Sequence, residues 1–549
     1  MRRIFKILIN DTVFLLGISL LVILLTELPF IYGYFINDHQ HYFTGLNTIA
    51  VIDGPVYLSY IEQVKAGHYL FEDLFNSNDN FQFFNPFWLL VGLVARIFNL
   101  AGTLTLQLFR IILIPFFLWA LFRIIKLFLP GNDWQKKICF LLALIYSGFG
   151  IFFLPLAYLN TLKPDLDKVP IDLWAYESSI FMVLRYYPHV LLAIGLIFLI
   201  FYYFYLGIEK NNWAKAILAG WLALLLFSFH PFQIPLIYGV LLVFALVMAF
   251  KNKKFGSYLG KYLLLLLISC PAVFYYLDQL FINQNMFLKA LQNNNLMPGF
   301  WLFILSFGLA FLLACSELVI IIKKKNFSSA NIFLIVWFLT TIFLVYSPLN
   351  FQRRMLGGFI VPIIILAFVV LLEIYKKIAD LPGNLKNFLA VIFFLFVSLT
   401  NLFIYSQDFR AYWLSINYAQ IEHQDLMYID NDVKGALDWY KSTATSNDII
   451  LTSYERGNLI PGLTGQKVYW GHPIETVGFK EKRQKVEAFF AANNLDLEKI
   501  DFLKTNKITY LFYSEFEKKL GDFDPTQKKY LKAVFQNPAV TIYKINSEL

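Results

Sequence analysis

Among the 549 residues of this chain, Asp53 stands in the setting most suggestive of chemistry. It opens the run Gly54-Pro55-Val56-Tyr57, which has the character of a helix start. One use of the residue is as an N-cap: Asp accepts hydrogen bonds from the first unpaired amides, and Pro is welcome in the first turn. The other is as a general base, a carboxylate that takes a proton from a hydroxyl or amine acceptor. The two roles can coexist in one residue.

A second group lies between residues 159 and 186, where Asp165, Asp167, Asp172 and Glu177 recur. Asp172 and Glu177 flank Leu173-Trp174, and their carboxylates could share a divalent cation such as Mg or Mn. The alternative is a set of solvated loop acids. The arginines form a third group: Arg110, Arg185 and the adjacent pair Arg353 and Arg354. Near a membrane interface such cations are costly unless they pair or snorkel to headgroups. Their functional use would be to hold a lipid-linked phosphate, which a guanidinium fits well.

The elements that position these residues are membrane helices. The chain is 58% hydrophobic with only 15% charged residues, where ordinary globular chains carry about a quarter. Its mean hydropathy is +0.59. Long apolar runs predict about eleven spans, at 12–34, 104–129, 138–158, 187–208, 213–229, 231–250, 261–280, 299–322, 331–348, 356–375 and 387–406. The first run is too long for a cleavable signal peptide and reads as the first span.

The net charge of +9 does not indicate nucleic acid, because the basic residues cluster in short segments between apolar runs. Examples are Lys136 and Lys137, Lys251 to Lys254, Lys323 to Lys325, and Lys376 and Lys377. With the N-terminus inside, every such cluster falls on the cytoplasmic side. The outer segments then collect the acids Asp38, Asp53, Glu62, Glu72, Asp73, Asp79, Asp165, Asp167, Asp172 and Glu177. All seven histidines also map outside: His39, His41, His68, His189, His230, His423 and His472. His189, His230 and His472 stand beside prolines, and no pair has a metal-ligand spacing by itself. The short apolar stretch 85–100 contains Arg96. Counting it as a span would invert every later loop, so it reads as a helix in or near the outer interface. The first outer loop, 35–103, then holds two such helices, the other at 55–70, and a loop of that length is often functional.

Beyond residue 406 the polarity becomes ordinary, with 18 basic and 19 acidic residues, so the tail is close to neutral. Helices are predicted at 432–443, 480–492, 497–504 and 527–535, and strands at 448–452, 467–470, 508–513 and 540–545. The alternation predicts a small α/β domain over 407–549, outside the membrane, following a transmembrane domain over 1–406. Cys139, Cys270 and Cys315 lie in apolar runs and the tail has no cysteine, so disulfides are not part of the design. No phosphate-binding Gly-rich loop, dinucleotide fingerprint, paired CxxC or HExxH occurs, which weakens ATP-driven and zinc-site readings.

The whole pattern resembles the GT-C superfamily of membrane glycosyltransferases. Four features carry the resemblance. The first is Asp53 in DGPVYLSYIEQVKAG of a large first outer loop. The second is NPFWLLVGLVARIFNL followed by Arg110 in LQLFRIILIP. The third is the later outer acids of DLWAYES, and the fourth is a soluble domain after the last span. The resemblance implies an inverting transferase that moves a sugar from polyprenyl phosphate to a glycan, lipid or protein acceptor on the extracytoplasmic side of the cytoplasmic membrane. It implies Asp53 as base and Arg110 with Arg353 or Arg354 as contacts to the donor phosphate. It also implies Asp172 and Glu177, with His189, as metal or acceptor contacts.

The segment starting ALDWYKSTATSNDIILTSYERG resembles the start of the soluble domain of oligosaccharyltransferase catalytic subunits. Those carry WWDYG where this chain has Ser453 to Gly457, SYERG. The comparison makes Glu455, Arg456 and His472 expected acceptor contacts, while the changed motif means that protein N-glycosylation is not inferred from it. Two rival readings remain open at this stage: a transporter or lipid flippase, and a structural assembly protein of the envelope. Few charges fall in mid-span and no internal repeat is visible, which counts against transport.

Overall fold

A computed structural model describes residues 10–76, 81–154, 168–378, 380–417, 426–491 and 495–546. Asp79, Asp165, Asp167 and His423 lie outside the described residues. From the N-terminus the helices run α1 (Asp11–Phe35), α2 (Gly54–Ala66), α3 (Pro86–Ile97), α4 (Gly102–Phe128), α5 (Asp133–Ile145), α6 (Ile180–Arg185) and α7 (Pro188–Glu209). They continue with α8 (Trp213–Phe229), α9 (Ile234–Asn252), α10 (Phe255–Ile282), α11 (Gln284–Gln292), α12 (Phe300–Lys323), α13 (Ser329–Val345), α14 (Ile360–Lys377) and α15 (Gly383–Asn417).

Among the described residues, eight helical segments are long and apolar enough to cross a bilayer, and the chain is a multi-pass membrane protein. The other three predicted spans fall on α8 and α13, which are shorter, and on α14, which carries Glu373, Lys376 and Lys377 near its end. α1 exposes Leu16, Leu20 and Leu24 at helical spacing, a stripe suited to acyl chains. α7 is buried almost all round, as a helix apolar on every face should be.

The chain divides into two compact units. The first comprises Met1–Thr26, Phe109–Asp278 and Asn294–Gln407. Its interior is aromatic, with Phe201 packed edge-on against Trp337 at 4.8 Å. α12 is interrupted at Gly308, whose φ of 47° and ψ of −133° leave the helix. The Tyr146 hydroxyl spans the break, donating to the Phe307 carbonyl at 2.8 Å and accepting from the Ala310 amide at 2.7 Å. Backbone groups released by the interruption are thereby satisfied inside an apolar region, where leaving them unpaired is expensive.

The second unit comprises Glu27–Leu108, Gln279–Asn293 and Asp408–Leu549. Two short ladders pair β1 (His41–Phe43) with β4 (Tyr428–Asp430) and β2 (Phe71–Glu72) with β3 (Gln82–Phe83). The larger sheet has five strands, β5 (Ile449–Leu451), β6 (Lys467–Val468), β7 (Tyr510–Tyr513), β8 (Leu531–Gln536) and β9 (Thr541–Ile545), in the order β6-β5-β7-β9-β8. β5 runs parallel to β6 and β7, and β9 is antiparallel to β7 and β8. The helices of this part are α16 (Asn431–Thr443), α17 (Tyr454–Thr464), α18 (Phe479–Phe490), α19 (Asp496–Thr505) and α20 (Glu515–Leu520). Leu451, Tyr469, Trp470, Val486, Phe490 and Leu511 form the heart of the core.

Two sequence expectations need correction here. The helix predicted at 527–535 is a 3-10 turn followed by strand β8. Asn537 turns the chain by accepting from the Ala539 and Val540 amides, and pairing with β9 outweighs the local helical character. The helix expected at 55–70, α2, does not lie open at an interface: it is buried, packed between α3 and α17. Its polar residues are absorbed by the protein. Glu62 pairs with Lys441, and Lys65 donates to the Leu100 carbonyl at 3.1 Å. α3 does keep an open apolar edge at Leu90 and Ile97.

Candidate active-site residues

The start of α2 shows why Asp53 does not cap it. A 3-10 turn, Val51–Asp53, leads directly into the helix and already uses the first amides. Asp53 donates its amide to Ala50, Gly54 donates to Val51, and Pro55 has no N–H. The carboxylate makes no cap hydrogen bond. Instead Oδ1 lies 3.2 Å from His472 Nε2. The capping use considered from sequence is therefore not the one adopted.

His472 sits on a tight turn. Its Nδ1 accepts from the amides of Ile474 and Glu475, each at 3.2 Å, while its carbonyl accepts from Thr476 at 2.9 Å. This is the N-cap pattern with Pro473 in the first position, performed by an imidazole. With Nδ1 accepting, the ring proton resides on Nε2 and is donated to Asp53. The His472 side chain is 3% exposed and that of Asp53 25%.

The same turn is anchored from the other side. Lys289 on α11 pairs with Glu475 and lies 3.0 Å from Asp73 Oδ2. Gln292 donates to the carbonyls of Ile474 and Thr476, both at 2.8 Å. The Thr476 hydroxyl accepts from the Gly471 amide and donates to the Phe75 carbonyl. Burial and the neighbouring Glu475 charge hold the Asp73 carboxyl above its ordinary range, although Lys289 pulls it down. Burial acts on Glu475 too, but there Lys289 outweighs it and keeps the carboxyl low. Burial disfavours the Lys289 ammonium, yet the two acids overcome that and hold its pKa above the ordinary lysine value. Sequence reading missed Lys289 and Glu475. The available signals were a lysine on a short amphipathic helix just past a span, and a glutamate three residues beyond His472.

In the first unit, Glu177 receives both arginines of the adjacent pair. Arg353 Nε lies 3.3 Å from Oε2 and Arg354 Nη1 3.1 Å from Oε1. Arg353 also lies over the Trp174 ring at 4.4 Å, and Arg354 over Tyr176, to whose hydroxyl it donates. Glu177 is buried, which pushes its carboxyl up against the pull of Arg353. Asp172 is buried in a separate turn, where the Gly150 amide donates to Oδ2 at 3.0 Å. Burial pushes it up to about 7, with the Gly150 bond working against the rise.

These carboxylates do not fit the expected divalent cation. Glu177 is bound to two guanidiniums, one oxygen of Asp172 accepts from the Gly150 amide, and no group of three His, Cys, Asp or Glu converges among the described residues. Arg110 is buried and donates to the carbonyls of Thr26 at 3.2 Å and Arg185 at 3.4 Å. His189 and His230, 41 positions apart in the chain, meet with ring centres 5.9 Å apart. Burial lowers His230 to about 4.

The remaining expected residues lie at the start of α17. Arg456 is buried with its guanidinium 4.6 Å over the Phe516 ring, and Glu455 is half-buried. Glu517 accepts from the Ser453 amide at 2.6 Å and the Thr452 hydroxyl at 2.7 Å, fixing the start of the helix. The segment SYERG thus enters a helix packed on α2.

A polytopic helical membrane fold joined to a mixed α/β sheet defines the class, and the chain has the GT-C fold. It is similar to the Archaeoglobus fulgidus oligosaccharyltransferase tethered with an acceptor peptide, at a TM-score of 0.53 and 12% identity over 92% of this chain and 69% of that one. It is also similar to ArnT from Cupriavidus metallidurans bound to undecaprenyl phosphate, at 0.52 and 11% identity over 98% of both chains. A third likeness is to the arabinofuranosyltransferase AftD from mycobacteria, at 0.52 and 13% identity, covering 97% of this chain and 42% of that protein. No protein-family model matches the chain, and no curated protein does.

Proposed function

We propose that the protein is an inverting glycosyltransferase of the cytoplasmic membrane, with its N-terminus inside and its C-terminal domain outside. The donor is a sugar on polyprenyl phosphate, and the acceptor is a glycan, lipid or protein on the extracytoplasmic side. The observation that carries this reading is the Asp53 carboxylate, which makes no cap hydrogen bond to its helix and is held by His472, in a chain whose fold is like that of an oligosaccharyltransferase and an arabinofuranosyltransferase. The fold likeness to a structure containing undecaprenyl phosphate supports the donor class.

In the proposed reaction the acceptor hydroxyl or amine attacks the anomeric carbon and passes its proton to Asp53. The bond from that carbon to the phosphate oxygen breaks, configuration inverts, and polyprenyl phosphate leaves. Arg353 and Arg354, with Arg110, stabilise the phosphate as its charge develops. Two guanidiniums against one carboxylate leave the Arg353–Arg354–Glu177 group with excess positive charge, which supports that role. No metal enters the scheme.

The test is release of polyprenyl phosphate from a panel of radiolabelled polyprenyl-phosphate sugars by the protein in nanodiscs, with envelope extract as the acceptor source. Turnover by the parent, reduced roughly 100- to 10,000-fold in Asp53→Asn, is expected of a general base. Parent-level turnover in Asp53→Asn would remove the base assignment. No turnover of any donor by the parent would remove the enzyme reading.

A further inference from the structure

We infer that His472 is a positioning residue for Asp53, fixed by its own backbone as the Nε2–H tautomer so that the imidazole aims the carboxylate. The inference rests on Asp53 being the base. It assigns to His472 a task different from the acceptor contact expected of it.

Three observations converge on this role. The Nδ1 side of the ring is committed, because the Ile474 and Glu475 amides both donate to it. A ring with that nitrogen accepting has one N–H left, and it points at Asp53 Oδ1. The ring cannot swing, since it is nearly fully buried and packs edge-on against Phe75 at 6.0 Å between centres.

The turn itself is immobilised by partners distant in sequence. Glu475, whose amide helps fix the tautomer, has its carboxylate held by Lys289, and Gln292 binds the carbonyls on either side of it. Asp73 completes the anchor through Lys289. The orientation of Asp53 is therefore set by a chain of contacts running from Asp73 through Lys289, Glu475 and the His472 ring. A carboxylate held at one oxygen spends less conformational freedom on reaching its reactive pose, which is the benefit of a preorganised site.

Two substitutions separate this role from simple stitching of the turn. In His472→Asn the side-chain oxygen can accept from the amides two and three residues on, as Asn does at helix caps, but no donor reaches Asp53. In His472→Gln the side-chain nitrogen takes the place of Nε2, but the amides lose their acceptor. For polyprenyl-phosphate sugar turnover in nanodiscs, His472→Asn is expected to keep the parent melting temperature and KM and to lose about 10- to 100-fold in kcat, as removal of a charged hydrogen bond implies. His472→Gln is expected to recover part of that kcat despite melting lower. Parent kcat in His472→Asn, or a loss confined to KM, would overturn the proposal.

An independent readout uses 15N-histidine-labelled protein in nanodiscs, with the His472 signal identified by its absence in His472→Asn. Neutral Nε2–H shifts that move in Asp53→Ala support the proposal, and an Nδ1–H tautomer or an unmoved signal overturns it. Because this measurement needs no turnover, failure of the glycosyltransferase reading appears as an inactive parent with an Asp53-sensitive Nε2–H ring. Failure of the positioning role appears in the ring shifts themselves.

Discussion

The Lys289 ammonium lies 3.0 Å from the Asp73 carboxylate, although 216 positions separate the two residues in the chain. Both are well buried, and Glu475 shares the same cation. Removing one member of a buried ion pair strands the other, at a cost of about 3–5 kcal/mol. Lys289→Met is therefore expected to lower the thermal unfolding midpoint sharply. Adding Asp73→Asn should return part of the loss, because one buried acid fewer is left without a cation. Melting curves of the parent, the two single variants and the double variant check this, and simple additivity would mean the three groups are not coupled.

Asp172 supplies a pH signature. Its carboxyl is held near 7 in the folded protein against an ordinary value of 3.8. Between about pH 4 and pH 7 the folded state keeps a proton that the unfolded chain has released, so stability falls as pH rises through that window. Asp172→Asn cannot lose the proton and should be flatter there, more stable than the parent above pH 7 by on the order of a few kcal/mol. Unfolding midpoints of both proteins from pH 4 to pH 8 give the difference directly. Parallel curves would place the Asp172 carboxyl in its usual range.

Glu177 reports on the phosphate contact proposed for Arg353 and Arg354. Glu177→Gln removes the carboxylate that both guanidiniums share. The variant should melt below the parent. Added undecaprenyl phosphate should then raise its midpoint by more than the parent's, since a bound anion restores what was lost; a ligand at 100 times its Kd stabilises by about 2.7 kcal/mol. Equal shifts in the two proteins would move the lipid phosphate away from this pair.

Packing of α17 on α2 is tested by a pair of glycines. A Cβ at Gly462 would come within 2.7 Å of the Pro55 Cα and 2.8 Å of its carbonyl oxygen, backbone that cannot rotate aside. Overpacking of that kind costs about 1–3 kcal/mol, more than the roughly 1 kcal/mol that alanine gains in helix propensity. Gly462→Ala should thus be destabilising, and it should lower turnover as well, because Pro55 is two residues from Asp53. Gly435 lies inside α16 with open space where its Cβ would be. Gly435→Ala should stabilise by up to about 1 kcal/mol and leave turnover alone. Similar effects from the two would show that contact with α2 is not the cause.

How far sequence carried the description depends on the range of the interaction involved. The long membrane helices were legible because a bilayer imposes an apolar length, and α3 because residues 85–100 form a short apolar run; its cap, Asn85 accepting from the Phe87 and Trp88 amides, came from the structure. α17 was missed. Gly457, Pro461 and Gly462 are poor helix formers by type, and Gly462 is small because Pro55 lies against it. β8 was taken for a helix because its partner, β9, is what makes it a strand. Asp53 was visible as a candidate, but its bond to His472 joins positions 419 apart. The Glu177–Arg354 contact, across 177 positions, was equally out of reach of local pattern.

The short ladder between β1 (His41–Phe43) and β4 (Tyr428–Asp430) carries a consequence for biogenesis. His41 pairs with Asp430 and Phe43 with Tyr428, so residues made early in translation wait for partners made almost four hundred residues later. Asp53 follows β1 by ten positions and depends on His472, which emerges later still. During synthesis the ribosome therefore threads most of the membrane helices before either contact can close. A nascent chain caught at that stage would present the segment from β1 to Asp53 unpaired to chaperones and proteases. Assembly of the Asp53 site is in that sense a late checkpoint, reached only by chains whose C-terminal segment has arrived beside the loop.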